Sequence, residues 1–490
     1  MMNTLNGKAP GRKFWRTGSH SLNKEDYLDT AASVVLKIML IVALFCPIST
    51  TMEGSRHPQY YQEFLLVNAV AVIFLLFYGI ATIWQKRWNR ENLVFCIKFL
   101  FVMCCYVFFY YLMMDSIQWK WQGVNCVISF GFFLLLMCGR NQEWFDRHHI
   151  IEFANRSIVI SNLIGILVYL QGYASVYWYD FKFQLMLPQT FYGEKRFEWI
   201  YYHKSQYALM LLLSLAFVLV HRKKFINRVT LALSIAVLLA GLYISHVNTA
   251  IVGGGLILVS FCVDWFIRNF KKIKLWIKVV VIPLFGAGVL GAGVMAFQKI
   301  AAERSVLTLG SRTYIWQSAI DLILKRPEGL GLRFTFKKLH LEGLGGMVTT
   351  NNGHNIFLNE ILRLSIPVGV CFIIFFVLII VYSLEKKFSF FTLGIWGALL
   401  MSMMMDYAVM NSGWTLMVFF FYTIFFLDVG ARKKEAAVSG AGGEPQDDRG
   451  ISEATSAEAA KAPDSPDIII RQEGRTQYVH RKSKRVSETI

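Results

Sequence analysis

The residues best suited to chemistry stand in one segment, residues 298–355, which separates two strongly apolar stretches of the chain. Ser311 is a good helix N-cap, so Arg312 is expected in the first turn of a helix. Free backbone N–H groups in such a turn attract anions, and the guanidinium adds a fixed positive charge. The segment carries more basic than acidic residues. It therefore indicates an anionic ligand such as a phosphate, with ordinary solvated surface charge as the alternative.

His354 stands at the end of the same segment, directly before the next apolar stretch. Asn351 or Asn352 is expected to cap the helix that follows, which places His354 at a helix N-terminus near the outer interface. A single histidine is most often structural. Here, however, Glu360 and Arg363 follow it inside the apolar stretch. Charges inside a membrane are costly enough to be functional candidates.

An amphipathic helix is predicted between these two candidates. Its apolar positions share one face, and two basic residues close its last turn before Pro327. A helix of this kind is expected to lie on the membrane surface. Several glycines follow, from Gly329 to Gly346, and predict a pliable stretch that closes over a substrate. The apolar positions are Ile315, Ala319, Leu322 and Ile323.

Membrane helices must position these residues, because the chain is too apolar for a soluble protein. Its 490 residues are 55% hydrophobic and 17% charged, with a formal net charge of +18 and a mean hydropathy of +0.45. This composition excludes a secreted disulfide scaffold, a disordered protein and a conventional nucleic-acid binder. The apolar residues form about twelve runs of about 20 residues, the length that crosses a bilayer. The runs centre near Leu40, Leu75, Cys105, Phe130, Ile166, Leu212, Ala236, Leu258, Leu290, Phe375, Leu399 and Phe420.

The basic residues predict the orientation of these helices. Lys and Arg cluster in alternate connections, such as 222–228 and 268–278, and the short loops between those connections are poor in cations. Cytoplasmic loops are enriched in Lys and Arg, so both termini are expected in the cytoplasm and residues 298–355 outside it. The 8 cysteines fall in or beside apolar runs, so neither a disulfide framework nor a metal site is indicated.

The predicted fold class is all-α: a polytopic integral membrane protein with about twelve transmembrane helices and one long extracytoplasmic loop bearing an amphipathic helix. Residues 1–30 form a basic cytoplasmic segment and residues 31–297 hold helices one to nine. Residues 298–355 form the extracytoplasmic loop, expected to be catalytic, and residues 356–429 hold helices ten to twelve. Residues 430–490 are rich in Ala, Gly, Ser, Glu and Pro and are expected to form a disordered cytoplasmic tail.

Short motifs in this order resemble the O-antigen polymerase and O-antigen ligase superfamily. The resemblance covers residues 201–369 in sequence and the whole chain in topology. The motifs are Gly310-Ser311-Arg312, Trp316, Arg326-Pro327, Gly329, Gly331 and His354-Asn355, together with the polar segment Tyr202-His203-Lys204-Ser205-Gln206-Tyr207-Ala208 before a central span. Two positions depart from the family pattern. Ser365 stands where the family often has glycine, and His246 is near the position where the family tends to have arginine.

The resemblance implies a glycosyltransferase that polymerises polyprenyl-pyrophosphate-linked oligosaccharide repeat units into a surface polysaccharide, such as a capsule or exopolysaccharide. The reaction would take place on the outer face of the bacterial cytoplasmic (inner) membrane. Arg312 would stabilise the pyrophosphate leaving group, and His354 would be the general base or would hold a phosphate. A one-step displacement would invert the anomeric centre, with no metal and no cofactor. Further substrate-binding candidates are Arg304, Arg333, Asn355, Lys204, His203 and His246.

The expected partners are the lipid-linked oligosaccharide, membrane lipid, and a chain-length regulator or other polysaccharide-assembly proteins; nucleic acid is not expected. Three alternatives stay open. A ligase would perform the same chemistry on a different acceptor. A flippase or other transporter would suit the spans equally well, although a single long outer loop argues against one. A non-enzymatic scaffold would use the C-terminal tail for docking.

Overall fold

Long apolar helices joined by short turns make up most of the described chain. The computed structural model describes residues 24–46, 66–112, 117–139, 141–179, 182–187, 197–201, 203–225, 227–275, 312–331, 336–340, 347–350, 353–405 and 414–427, with single positions or short groups between 278 and 298. The predicted tail, residues 430–490, lies outside the described residues. So do two predicted binding residues, Arg304 and Arg333.

Fourteen α-helices lie in the described residues. A π-helical turn, Tyr422–Phe426, continues the last of them. The helices are α1 (Lys24–Phe45), α2 (Leu66–Trp84), α3 (Leu93–Leu112), α4 (Ile117–Cys138), α5 (Gln142–Arg147), α6 (Ile150–Leu170), α7 (Lys204–Val220), α8 (Arg228–Ile244), α9 (Asn248–Asn269), α10 (Arg312–Lys325), α11 (Ile356–Leu364), α12 (Ile366–Lys387), α13 (Phe390–Met405) and α14 (Trp414–Phe421).

Six of these described helices, α1, α2, α3, α6, α9 and α12, are long and apolar enough to cross a membrane, judged by length and composition. Five shorter apolar helices accompany them in the described residues: α4, α7, α8, α13, and α14 together with its π-helical turn. The predicted centres of the spans lie on these helices, except for the one near Leu290, which lies outside the described residues. The chain is therefore an all-α, multi-pass membrane protein. The number of twelve spans stays a prediction.

In the part of the chain that the structure describes, two short antiparallel hairpins lie between helices, and no pattern in the sequence predicts them. In the first, β1 (Ser175–Tyr179) pairs with β2 (Lys182–Met186), and Val176 faces Leu185. In the second, β3 (Phe336–His340) pairs with β4 (Met347–Thr350). The first lies between α6 and α7, and the second lies within residues 298–355. Strands of four or five residues leave too short a pattern to be distinguished from a loop.

Aromatic side chains fill the interior of the bundle. Trp414 at the start of α14 has ring centroids of four phenylalanines around it, at 5.5 Å for Phe372, 5.8 Å for Phe130 and 6.2 Å for both Phe375 and Phe376. Lipid tails are as apolar as these side chains, so helices in a membrane associate through close packing and polar contacts. This cluster joins α4, α12 and α14 and fixes the position of α12.

Three helices end around the same cavity, which gives their relative direction. Residues at or directly after the ends of α7, α9 and α12 line it, among them His221, Arg268 and Lys387. The three helices therefore run in the same direction, each about 25–33 Å long. We call this end of the bundle the cavity end. The opposite end, where Lys204 and Ile366 begin α7 and α12, is called the loop end.

Candidate functional site

The predicted amphipathic helix is present as α10, and its apolar face packs against α11. Ile315, Ala319 and Ile323 are buried, and they form one cluster with Leu362 of α11. Leu322 is partly buried against the same cluster. The helical periodicity of the apolar residues is thus confirmed, and contact with α11 accounts for it. The expectation that α10 lies on the membrane surface stays a prediction.

The turn after α10 is hydrogen-bonded to the end of α11. The N–H groups of Leu330 and Gly331 donate to the carbonyl oxygens of Leu362 and Arg363, at 2.7 and 3.1 Å. These bonds satisfy carbonyls that the end of a helix leaves without partners. Gly329 has φ +88°, and a Cβ on it would lie 2.8 Å from the backbone nitrogen of Ser365. Gly329 and Gly331 therefore belong to a fixed turn; Gly343, Gly345 and Gly346 lie outside the described residues.

The fixed turn gives a matched pair of glycine variants. We expect Gly329→Ala to lower the thermal unfolding midpoint of the purified protein clearly, because it adds a backbone clash to an unfavourable φ, at a cost of about 3 kcal/mol or more. Gly331 has φ +79° but nothing within 4 Å of an added Cβ, so Gly331→Ala meets only the backbone strain. Its cost should be about 1 kcal/mol. Equal midpoints for the two variants would contradict this account of the turn.

His354 lies in a segment that four hydrogen bonds hold in place. The indole nitrogen of Trp316 on α10 donates to the carbonyl of Gly353 at 3.0 Å. The N–H of Gly353 donates to Oδ1 of Asn359 at 2.7 Å. Asn355 then caps α11, its Oδ1 accepting from the N–H groups of Phe357 and Leu358 at 2.9 and 3.1 Å. His354 itself is half-buried, with a left-handed φ of 47°.

The helix cap is therefore Asn355, and the expectation that Asn351 or Asn352 caps this helix is wrong. Asn355 has the extended backbone, φ −152° and ψ 119°, that lets its side chain reach the first turn. The predicted position of His354 directly before a helix is confirmed. Asn355 was predicted to bind substrate, but in the structure its side-chain oxygen is engaged by the helix.

The cap gives a second prediction, which separates a structural role of Asn355 from substrate binding. Asn355→Ala should cost about 1 kcal/mol of stability, whereas Asn355→Ser, which keeps a capping oxygen, should cost much less. Both are measured by thermal unfolding of the purified protein. The matched control for the loss of a helix cap is Asn227→Ala. Asn227 caps α8 in the same way, because its Oδ1 accepts from the N–H of Thr230 at 2.7 Å. An Asn355→Ser variant that is stable yet inactive would indicate direct substrate contact instead.

Arg312 is the first residue of α10, as predicted, and its side chain is half-buried. Trp316 follows one helical turn later on the same face. Because Trp316 is bonded to Gly353, the first turn of α10 faces the segment that carries His354. The structure thus brings the neighbourhoods of Arg312 and His354 together on the pair of helices α10 and α11.

A contact that no pattern in the sequence indicates joins α11 to the bundle. Tyr106 of α3 is buried, and its hydroxyl donates to Oε1 of Glu360 on α11 at 2.5 Å. In the sequence Tyr106 is one aromatic residue among many in an apolar run. Its role depends on a partner 254 positions away, and spacing within one helix cannot indicate that. The contact anchors α11, which follows His354 directly.

A second group of predicted residues meets where α7, α8 and α9 adjoin. His203 caps α7, its Nδ1 accepting from the N–H of Ser205 at 3.2 Å. Nζ of Lys204 donates to the carbonyl of His246 at 3.4 Å, and Nε2 of His246 lies 3.4 Å from the hydroxyl of Tyr169. Lys204 and His246 are therefore brought together, and His203 is their neighbour.

Both groups lie at the loop end of the bundle. Lys204 begins α7, and His246 precedes α9 by two residues. α11 leads into α12 through Ser365 alone. Since α7, α9 and α12 run in the same direction, their starts lie at one end. Those predicted basic and histidine residues that the structure describes, Arg312, His354, His203, Lys204 and His246, therefore share one end of a helical bundle.

This arrangement defines a multi-pass helical membrane protein with basic and histidine residues grouped at one end. Residues 233–373 match the family model described as O-Antigen ligase, and this stretch includes Arg312, His354 and His246. This match confirms the predicted resemblance to the O-antigen polymerase and O-antigen ligase superfamily. Its members are membrane enzymes of glycan assembly, polymerases or ligases, that act on lipid-linked oligosaccharides. No curated protein matches the chain.

Proposed function

We propose that the chain is a membrane glycosyltransferase that polymerises polyprenyl-pyrophosphate-linked oligosaccharide repeat units into a surface polysaccharide. The observation that carries this proposal is the bond from Trp316 to Gly353, which joins the helix of Arg312 to the segment of His354 inside the matched region. We place the reaction on the outer face of the bacterial cytoplasmic membrane, with both termini in the cytoplasm. A chain-length regulator or another assembly protein would then be the partner.

The leaving group needs fixed positive charge. In the proposed reaction the pyrophosphate gains negative charge as its bond to the anomeric carbon breaks, and Arg312 meets it with a planar, bidentate guanidinium. The first turn of α10 adds backbone N–H groups and the positive end of the helix dipole. Lys204 would supply a second cation, since its ammonium group lies against the carbonyl of His246, near the position where the family tends to have arginine.

His354 would act as the general base. Its imidazole would take the proton from the attacking sugar hydroxyl, and that oxygen would bond to the anomeric carbon while the carbon–pyrophosphate bond breaks. The single displacement would invert the anomeric centre. The bonds of Gly353 to Trp316 and Asn359 support this role, because they hold the backbone before His354 and so restrict where the ring lies. Side-chain cations would stabilise the negative charge on the leaving group, as a bound metal ion does in other enzymes.

A ligase is the second candidate function, because the matched family model is described as O-Antigen ligase. A ligase would use the same leaving group and the same base but a different acceptor. The flippase is less favoured, because the matched family consists of enzymes. The acceptor therefore separates the two enzymatic candidates.

The decisive experiment reconstitutes the purified protein in vesicles with a lipid-pyrophosphate-linked repeat unit. A ladder of longer lipid-linked glycans is the result expected of a polymerase. Transfer of a preformed glycan to a second lipid acceptor, without a ladder, would favour the ligase. Movement of the lipid across the vesicle membrane with no new glycosidic bond would overturn both in favour of a transporter.

A further inference from the structure

A strongly basic cavity lies at the cavity end of the bundle, the length of α12 away from His354. It has a volume of about 380 Å³. The turn after α7, the last turn of α9 and the connection between α12 and α13 enclose it. α12 has 22 residues and so separates the cavity from Ile366 by about 33 Å. The cavity is therefore independent of the proposed active site.

The lining of this cavity has more basic than acidic residues. Of the described residues that line it, five are basic and one, Asp264, is acidic. Asp264 accepts from Arg268 on the same helix at 2.8 Å, and Lys224 is paired with Asp146, outside the lining, at 2.5 Å. Arg222, Lys223 and Lys387 supply the remaining positive charge. The positive-inside tendency explains why cations stand at this end of the helices, but it does not require them to converge on one cavity. The basic residues are Arg222, Lys223, Lys224, Arg268 and Lys387.

Arg222 is held in a fixed orientation in the wall of the cavity. Its guanidinium donates to the carbonyl of Leu219 at 3.0 Å and lies over the ring of Phe261, 4.8 Å from the centroid. Burial, and then the nearby guanidinium of Arg268, lower the pKa of Arg222 from its ordinary value. Asp264 counteracts this lowering of the pKa only in part, so an anion bound near the two guanidinium groups would stabilise them further.

The start of α13 adds to the attraction for an anion. Ser389 precedes α13, and its Oγ accepts from the N–H of Thr392 at 3.0 Å. The first turn of α13 therefore faces the cavity, with both Ser389 and Thr392 in the lining. A helix N-terminus carries partial positive charge, so here it reinforces the basic side chains.

Exposed aromatic residues at the rim indicate where the rest of the ligand lies. Phe388 lines the cavity and is 72% exposed, and Phe390 next to it is 55% exposed. Phe388 directly follows α12, and Phe390 is the first residue of α13. Exposed phenylalanine rings at the end of an apolar helix are expected to be buried against acyl chains at the boundary with the headgroups. A lipid can use the cationic cavity and the aromatic rim together, whereas a free phosphate ion uses only the first.

We propose that this cavity binds the phosphate headgroup of an anionic membrane lipid, in the leaflet opposite the proposed active site. Arg222, Lys223 and Arg268 contact the phosphate, and the acyl chains leave past Phe388 and Phe390. Under the proposed topology this is the cytoplasmic leaflet. The proposal does not depend on which glycan the enzyme transfers.

The test compares lipids on the intact full-length protein by native mass spectrometry. The probes are phosphatidylglycerol, which is anionic, phosphatidylcholine, which has the same phosphate but no net charge, and inorganic phosphate. We expect the unmodified protein to retain phosphatidylglycerol at least tenfold more tightly than phosphatidylcholine, and inorganic phosphate not to displace it at equal concentration. Equal retention of the two lipids would overturn the proposal, and displacement by inorganic phosphate would assign the cavity to a free anion.

Matched variants distinguish lipid binding in this cavity from a general effect of surface charge. The triple variant Arg222→Gln, Lys223→Gln and Arg268→Gln should bind phosphatidylglycerol about a hundredfold more weakly, given roughly fivefold for each basic residue near a membrane surface. The control, Lys271→Gln, Lys272→Gln and Lys274→Gln, removes the same charge from exposed residues just beyond α9 that do not line the cavity. It should stay within about threefold of the unmodified protein. Equal losses would overturn the proposal, and if the cavity variant does not fold, the lipid comparison on the unmodified protein decides.

Discussion

Replacing His354 by asparagine is expected to reduce glycan transfer at least a hundredfold, with the protein still folded in the membrane. General-base catalysis by a positioned side chain typically contributes about 10²–10⁴-fold, and asparagine has no basic nitrogen to replace the imidazole. Asparagine is the informative substitute because it tolerates the left-handed φ of 47° at this position. Alanine would add backbone strain to the loss of the imidazole. Transfer is measured as initial rate of ladder formation in reconstituted vesicles.

The chain contains a closely matched control for this change. His149 also has a left-handed φ, 52°, and also stands directly before a helix, α6, yet its side chain is 71% exposed. α6 ends near Tyr169 at the loop end, so His149 lies at the other end of that helix. His149→Asn should leave the rate within about twofold. A His354→Asn protein with full activity would remove His354 from the mechanism, whatever its thermal stability.

Arg312→Gln is the second large effect, expected to lower the rate about 10²–10³-fold, because one donor to a developing negative charge contributes that much in comparable enzymes. Arg312→Lys keeps the positive charge but loses the bidentate fork, so we expect an intermediate rate. The loss should fall mainly on kcat, since the charge on the pyrophosphate develops in the transition state. Rates at saturating and subsaturating lipid-linked substrate separate the two parameters.

Lys325→Gln is the control for Arg312, because Lys325 is the exposed last residue of the same helix. Its removal changes the charge of α10 by the same amount at the end away from His354. The rate should therefore change little. Equal losses for Lys325→Gln and Arg312→Gln would show that general charge of the loop, rather than a placed guanidinium, attracts the substrate.

The helices could be predicted from the sequence because a segment that crosses a membrane must be long and apolar. Apolar runs of about 20 residues identify spans without any partner, and α10 was predicted from its cap, its periodicity and its basic end. The cap of α11 was misplaced for a physical reason. Several asparagines precede that helix, and only the backbone angles decide which of them folds its side chain back onto the first turn.

The contacts between helices could not be predicted in the same way. The bond between Lys204 and His246 joins residues 42 positions apart, and that between Trp316 and Gly353 joins residues 37 apart. Neither separation is a helical or strand period, so no pattern in the sequence relates the partners. The residues of the candidate site could thus be selected from the sequence by their chemical type. Which of them lie close together depends on packing between helices, which the sequence does not indicate.

The double attachment of α10 to α11 has a consequence for how the protein opens. Trp316 bonds to Gly353 before α11, and Leu330 and Gly331 bond to the last residues of α11. The two helices are therefore expected to exchange their amide protons together, as one cooperative unit that opens independently of the spans. A change that loosens either attachment should release Arg312 and His354 at the same time. Activity should then be lost, while the amide protons in the rest of the bundle stay protected from exchange.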